Sequence, residues 1–214
     1  KYSGKLRWIS ERDEGQSDAI NKGIKMSTGD IIAYLNSDDM YENGALSKVS
    51  EFFEANPSTM WLSGRCRIID ENDREVRKAI GLYKNLWLDH YSYNTLLITN
   101  FISQPATFLR RELIEEFALF SVSHHRVMDY DYWLRVGRKY SPGITSEYLA
   151  RFRVHSESKT SSSFWKTFRE ELDVSREYSN SRIIDLLHYL NYVSICMVYS
   201  SLALISRIRG RVLR

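Results

Sequence analysis

The chain has 214 residues, 43% hydrophobic and 27% charged, a composition that fits one well-filled globular domain with an appendage, or two small domains. A net charge of +3, with basic residues interleaved among acids, excludes the electrostatic footprint of a nucleic-acid binder, so no nucleic acid is expected as a partner. Cys66 and Cys196 lie far apart without metal-ligand spacing, which reads as reduced thiols in a cytoplasmic setting.

Lys1 is not a methionine, no signal peptide is visible, and strand character starts almost at once at Leu6-Arg7-Trp8-Ile9; this predicts a chain entered partway through a domain. Ser17 or Asp18 can cap a helix in which Ile20 and Ile24 stack at i, i+4, and Thr28-Gly29 ends it. The five residues Ile31 to Leu35 then run without interruption into Asn36-Ser37-Asp38-Asp39. Such an apolar run reads as a strand buried on both faces, and strand–helix–strand in this space implies a βαβ unit and parallel pairing. Two adjacent carboxylates at a strand's carboxyl end repel each other, which favours a cation, Mg2+ or Mn2+ by ligand type. An ordinary turn or helix cap explains the same residues equally well.

A helix is expected from Gly44 to Ala55, with Leu46, Val49, Phe52 and Phe53 inward, stopped by Asn56-Pro57. Trp61 to Ile69 and Arg74 to Ile80 read as a hairpin around Asp70-Glu71-Asn72-Asp73. Residues 81–103 carry aromatics without clean periodicity. Gln104 to Leu109 reads as a strand, Arg111 to Phe117 as a helix, and Asp129 to Tyr140 as a helix presenting Trp133, Val136 and Tyr140. Along Thr145 to His155, alternation puts Tyr148, Ala150, Phe152 and Val154 on one face and Leu149, Arg151, Arg153 and His155 on the other. That second face could meet a pyrophosphate, or it is simply a charged edge-strand face. The polar tract Ser156 to Ser163 reads as a linker or lid.

The C-terminal region differs in kind. Phe164 to Ser179 forms a charge-laced amphipathic helix, and Tyr189 to Ser206 has no charged residue before Arg207, Arg209, Arg211 and Arg214. Association with a membrane surface and docking on the domain or a partner are equally favoured, ahead of a true span.

Five blocks in order resemble family 2 glycosyltransferases. They are Ser10 to Gly23; Gly29-Asp30 with Leu35 to Asp39; Ile102 to Phe108; Met128 to Arg135; and Arg151 to His155. The resemblance implies an α/β GT-A fold, a Rossmann-like mixed sheet here lacking its first strands. It divides the chain into a partial catalytic domain over 1–160 and a helical region over 161–214. It further implies that Gly15, Asn21 and Lys22 line the phosphate and sugar side of a nucleoside diphosphate sugar. Asn36 takes the first position of the family's Asp-X-Asp motif and could bond the ribose, Asp38 is the metal ligand, and Asp39 is left between metal and helix cap. Asp129 matches the catalytic base, with Asp131 less favoured. Arg151 and Arg153 face the pyrophosphate, and His155 matches a metal contact. The implied reaction is inverting sugar transfer to a glycan or lipid-linked acceptor in polysaccharide or glycan synthesis, in the cytoplasm at the inner face of a membrane. Because the family's base-gripping strands do not precede Lys1, the chain alone is expected to be inactive. The competing reading is a non-catalytic, membrane-associated interaction protein.

Overall fold

A computed structural model describes residues 6–154 and 164–212, with side chains described as far as Ser201. The helices are α1 (Gln16–Met26), α2 (Ala45–Ala55), α3 (Lys78–Asp89), α4 (Tyr93–Ile98), α5 (Arg111–Phe117), α6 (Met128–Gly137), α7 (Phe164–Tyr178) and α8 (Arg182–Val212). The strands β1 (Ile31–Ile32), β2 (Met40–Tyr41), β3 (Trp61–Ile69), β4 (Thr107–Arg110) and β5 (Gly143–Arg153) form one mixed sheet in the order β1-β4-β3-β5-β2. Among the described residues β3 and β5 alone pair in parallel; β1–β4, β3–β4 and β2–β5 are antiparallel.

Two apolar layers flank the sheet. One gathers Trp61, Leu96, Phe101, Leu113, Tyr130 and Trp133, with the Trp61 and Trp133 rings stacked at 5.5 Å. The other packs Val49 and Phe53 of α2 on Leu62, Phe108, Leu149 and Ala150. Helix α6 is buried on every side, with Tyr130, Tyr132, Trp133, Leu134 and Val136 at most 1% exposed, as a core helix should be. Gly64 lies where the β3–β5 register shifts, and a Cβ there would meet Leu149 Cδ1 at 2.5 Å. The missing side chain lets β5 approach closely.

Several sequence expectations need correction. Leu6 to Ile9 is not a strand; Leu6, Trp8 and Ile9 are 65%, 79% and 50% exposed, because no strand among the described residues pairs with the segment. Strand β1 is two residues long and, among the described residues, lies at a sheet edge and pairs antiparallel with β4 alone, so no parallel βαβ unit is formed there by those residues. Helix α1 starts two residues before Asp18, on Gly15 as N-cap. The Arg74–Ile80 strand shrinks to an Ile69–Glu75 bridge, since Asp73 (φ 62°) and Arg77 (φ 52°) turn the chain into α3. Residues 81–103 hold α3 and α4; exposed Leu82 and Leu86 on α3 masked its period. Gln104–Ala106 is a 3-10 turn ahead of β4, and Leu46 of α2 points outward at 61% exposure.

Candidate active site

A cavity of about 520 Å³ opens where the turn after β1, the N-terminal end of α6, the end of β5 and the faces of α3 and α7 converge. Asn36, Ser37, Asp38, Asp129 and Arg153 line it, so residues predicted from three separate blocks come together. The acidic turn is tightly braced. Asn36 Oδ1 accepts from Gln16 Nε2 at 2.9 Å, and Asn36 Nδ2 donates to Asp39 Oδ2 at 2.9 Å. Asp39 Oδ1 accepts from the Arg153 backbone N–H at 2.9 Å, while Arg153 Nε donates to the Asp38 carbonyl at 2.9 Å. Gln104 Nε2 holds the strand just upstream by donating to the Tyr34 carbonyl at 2.7 Å.

This bracing separates the two acids. Asp39 is 7% exposed and both its oxygens are engaged by protein donors, so its place is that of a latch between the turn and β5. Burial pushes its carboxyl above the usual range, against the opposing pull of the Arg153 N–H and the Asn36 amide. Asp38 is half-buried and lines the cavity.

Asp129 sits in the first turn of α6. Its Oδ1 accepts the Tyr130 backbone N–H at 2.9 Å, and its side chain lines the cavity. Burial raises its carboxyl; the Tyr130 N–H and the Lys84 ammonium partly counter this. Asp131, the alternative base, is 4% exposed and turned away into structural contacts. It accepts from the Tyr178 hydroxyl at 2.6 Å and pairs with Arg135 at 3.4 Å.

The other predicted residues lie around this centre with other engagements. Gly15, at φ 120°, takes a backbone conformation that favours glycine and opens the helix whose Gln16 braces Asn36. Asn21 is buried and holds the Phe120 backbone from both sides, donating to its carbonyl at 2.8 Å and accepting its N–H at 3.0 Å. Lys22 ties Glu11 (2.9 Å), Asp18 (3.1 Å) and the Arg12 carbonyl (2.9 Å) to α1. Arg151 pairs with Glu42 at 2.7 Å. The Arg153 guanidinium is also committed, donating to the carbonyls of Asp38 and Asp70 and pairing with Asp73 at 2.6 Å. His155 lies outside the described residues.

Sequence reasoning missed one wall of the cavity. Arg77 and Lys84 from the α3 side, Asn100, Arg126, and Glu171 on α7 all line it. Glu171 carried a legible signal. It falls on the stripe Phe168, Glu171, Leu172, Ser175, an i, i+3, i+4, i+7 buried face where a carboxylate is out of place.

Among the described residues no three His, Cys, Asp or Glu side chains gather into a metal cage. A hard divalent cation at a phosphate site does not require one, because it keeps several waters and is held by one or two carboxylates plus substrate phosphates. Asp38 at the cavity wall fits that limited role.

The family model for glycosyl transferase family 2 matches residues 2–118, more than half of the chain. A UDP-Glc:alpha-D-GlcNAc-diphosphoundecaprenol beta-1,3-glucosyltransferase of Escherichia coli is 28% identical over 87% of this chain and 70% of its own. An uncharacterized glycosyltransferase of Haemophilus influenzae is 22% identical over 79% of this chain and 57% of its own. The chain spans about half the length, or less, of several such curated relatives. Among solved structures, S. aureus TarS 1-349 in complex with UDP-GlcNAc superposes with a TM-score of 0.56 at 14% identity, over 81% of this chain and 51% of that one; this likeness shows the shared GT-A fold. The chain belongs to glycosyl transferase family 2.

Proposed function

We propose that this chain carries the sugar-transfer centre of an inverting glycosyltransferase that uses a nucleoside diphosphate sugar and a glycan or lipid-linked acceptor. The observation behind the reading is that Asp38 and Asp129 line one cavity, although they arise from the second and fourth of the five motif blocks, about ninety residues apart. In this reading the acceptor hydroxyl gives its proton to the Asp129 carboxylate as its oxygen attacks the anomeric carbon. The bond from that carbon to the diphosphate oxygen breaks, and its electron pair leaves with the diphosphate. A divalent cation bound at Asp38 would supply charge stabilisation for that leaving group. Arg153 and Asp39 serve as positioning residues that fix the Asp38 turn, and Arg77, Lys84 and Arg126 supply further positive charge around the cavity.

The lipid-linked acceptor class draws support from the exposed face of α8. Its Arg182–Ser201 stretch has a mean hydropathy of 1.2 and only 11% of it is buried. One face packs on the domain through His188 and Asn191, which bond the carbonyls of Leu97 and Ile98 at 2.7 and 3.2 Å. The other leaves Ile183, Leu186, Leu190, Met197 and Val198 at 50–71% exposure. A helix packed on the domain along this length is better suited to lying on a lipid surface than to crossing it. Its Tyr199 lines the cavity, so a lipid anchor and the reacting sugar would be close.

Calorimetric titration of the full-length protein with UDP, GDP and dTDP, with and without Mn2+, tests the donor half. At least one nucleotide should bind more tightly with Mn2+, and Asp38→Asn should remove most of that gain, about tenfold or more in affinity. Identical affinities in the two proteins would sink the assignment of Asp38.

A further inference from the structure

Glu171 is 9% exposed and lines the cavity, yet among the described residues it receives a single hydrogen bond, from Asn100 Nδ2 at 3.0 Å. A buried carboxylate has about four acceptor positions and is normally satisfied. Asn100 Oδ1 is itself buried without a partner, so the pair is incomplete on both sides. Lys84 supplies positive charge that favours ionisation of both Glu171 and Asp129. No ion pair within 4 Å neutralises Glu171 among the described residues. The two carboxyls belong to different walls, Asp129 to α6 and Glu171 to α7.

We infer that Glu171, seated by Asn100, is an acceptor-binding residue that accepts hydrogen bonds from hydroxyls of the acceptor sugar beside Asp129. The inference rests on the sugar-transfer reading above and adds the acceptor's contact to it. Burial pushes the Glu171 carboxyl up to about 7, with Asp129 and Glu170 adding to the rise and Asn100 and Lys84 opposing it. Tyr130 of α6, and Cys196 and Tyr199 of α8, feel the same charge. Hydroxyl donors from a ligand favour the ionised form, so binding near neutral pH should release part of a proton. A carboxyl that only braces α7 would show no such release.

The test is calorimetric binding of octyl glycosides and octyl glycosyl diphosphates of glucose and N-acetylglucosamine to the full-length protein, in two buffers of different ionisation enthalpy. Wild type should bind at least one probe with proton release near pH 7. Glu171→Gln should weaken that binding tenfold or more and abolish the release, leaving the nucleotide titration unchanged. Glu171→Asp, which keeps the charge one methylene short, should fall between the two. Equal binding by wild type and Glu171→Gln, or no binding of any probe by wild type, overturns the inference. Glu171-dependent probe binding without nucleotide binding would instead leave this subsite standing and remove the donor reading.

Discussion

Replacing Asp129 with Asn is expected to reduce sugar transfer by about 10²–10⁴-fold, the range for losing a positioned general base. Asn keeps the shape and can still accept the Tyr130 backbone N–H, so the first turn of α6 should persist and the melting temperature should change little. What disappears is the ability to take a proton. Because burial places the Asp129 carboxyl above its ordinary range, the acid limb of the wild-type rate should lie higher than a solvent-exposed aspartate would give. Activity is then lost as pH falls through that raised value, since protonated Asp129 is no base. Initial rates against pH for both proteins check this. Unchanged transfer by a folded Asp129→Asn variant would remove Asp129 from the chemistry.

Glu171→Gln should stabilise the protein at pH 8 and have little effect at pH 4. Folding raises this carboxyl from an ordinary 4.5 to about 7, so the folded state favours the protonated form. That contribution is fully present below 4.5 and is lost as pH rises through 7, where the buried group must ionise. Gln resembles the protonated acid and escapes the cost. The difference between 4.5 and about 7 corresponds to roughly 3 kcal/mol at high pH. Urea unfolding at pH 4 and 8 measures it. Destabilisation at pH 8 would mean that the ionised Glu171–Asn100 contact supports the fold. Together with the binding test, one substitution is expected to raise stability while weakening acceptor capture, as expected for a group held in an unfavourable place for use.

What could be read in the sequence was mostly local. Helices α2, α5 and α6 and strand β5 follow from periodicity and stop signals such as Asn56-Pro57. The Leu6–Ile9 reading failed because β propensity needs a neighbouring strand, and that requirement is tertiary. Arg74–Ile80 failed because the positive φ at Asp73 and Arg77 occurs at residues that do not announce it. At the site, ordered motifs pointed to Asp38 and Asp129, which the fold brings to one cavity, and left Asp39 open between metal and helix cap; the folded turn shows Asp39 engaged at both oxygens. Asn21 and Lys22 also matched the donor segment by position. Their hydrogen bonds run to Phe120 and Glu11, contacts that sequence spacing does not reveal. Lys84, Asn100 and Glu171 come from separate helices and loops and meet only across the cavity.

The most direct check on the account is the configuration of the new glycosidic bond, read by NMR on the product made by the full-length protein. A single displacement assisted by one base, Asp129, inverts the anomeric carbon, so an α-linked nucleotide sugar should give a β-linked product. Retention of the α configuration would contradict the single-displacement mechanism and the role assigned to Asp129.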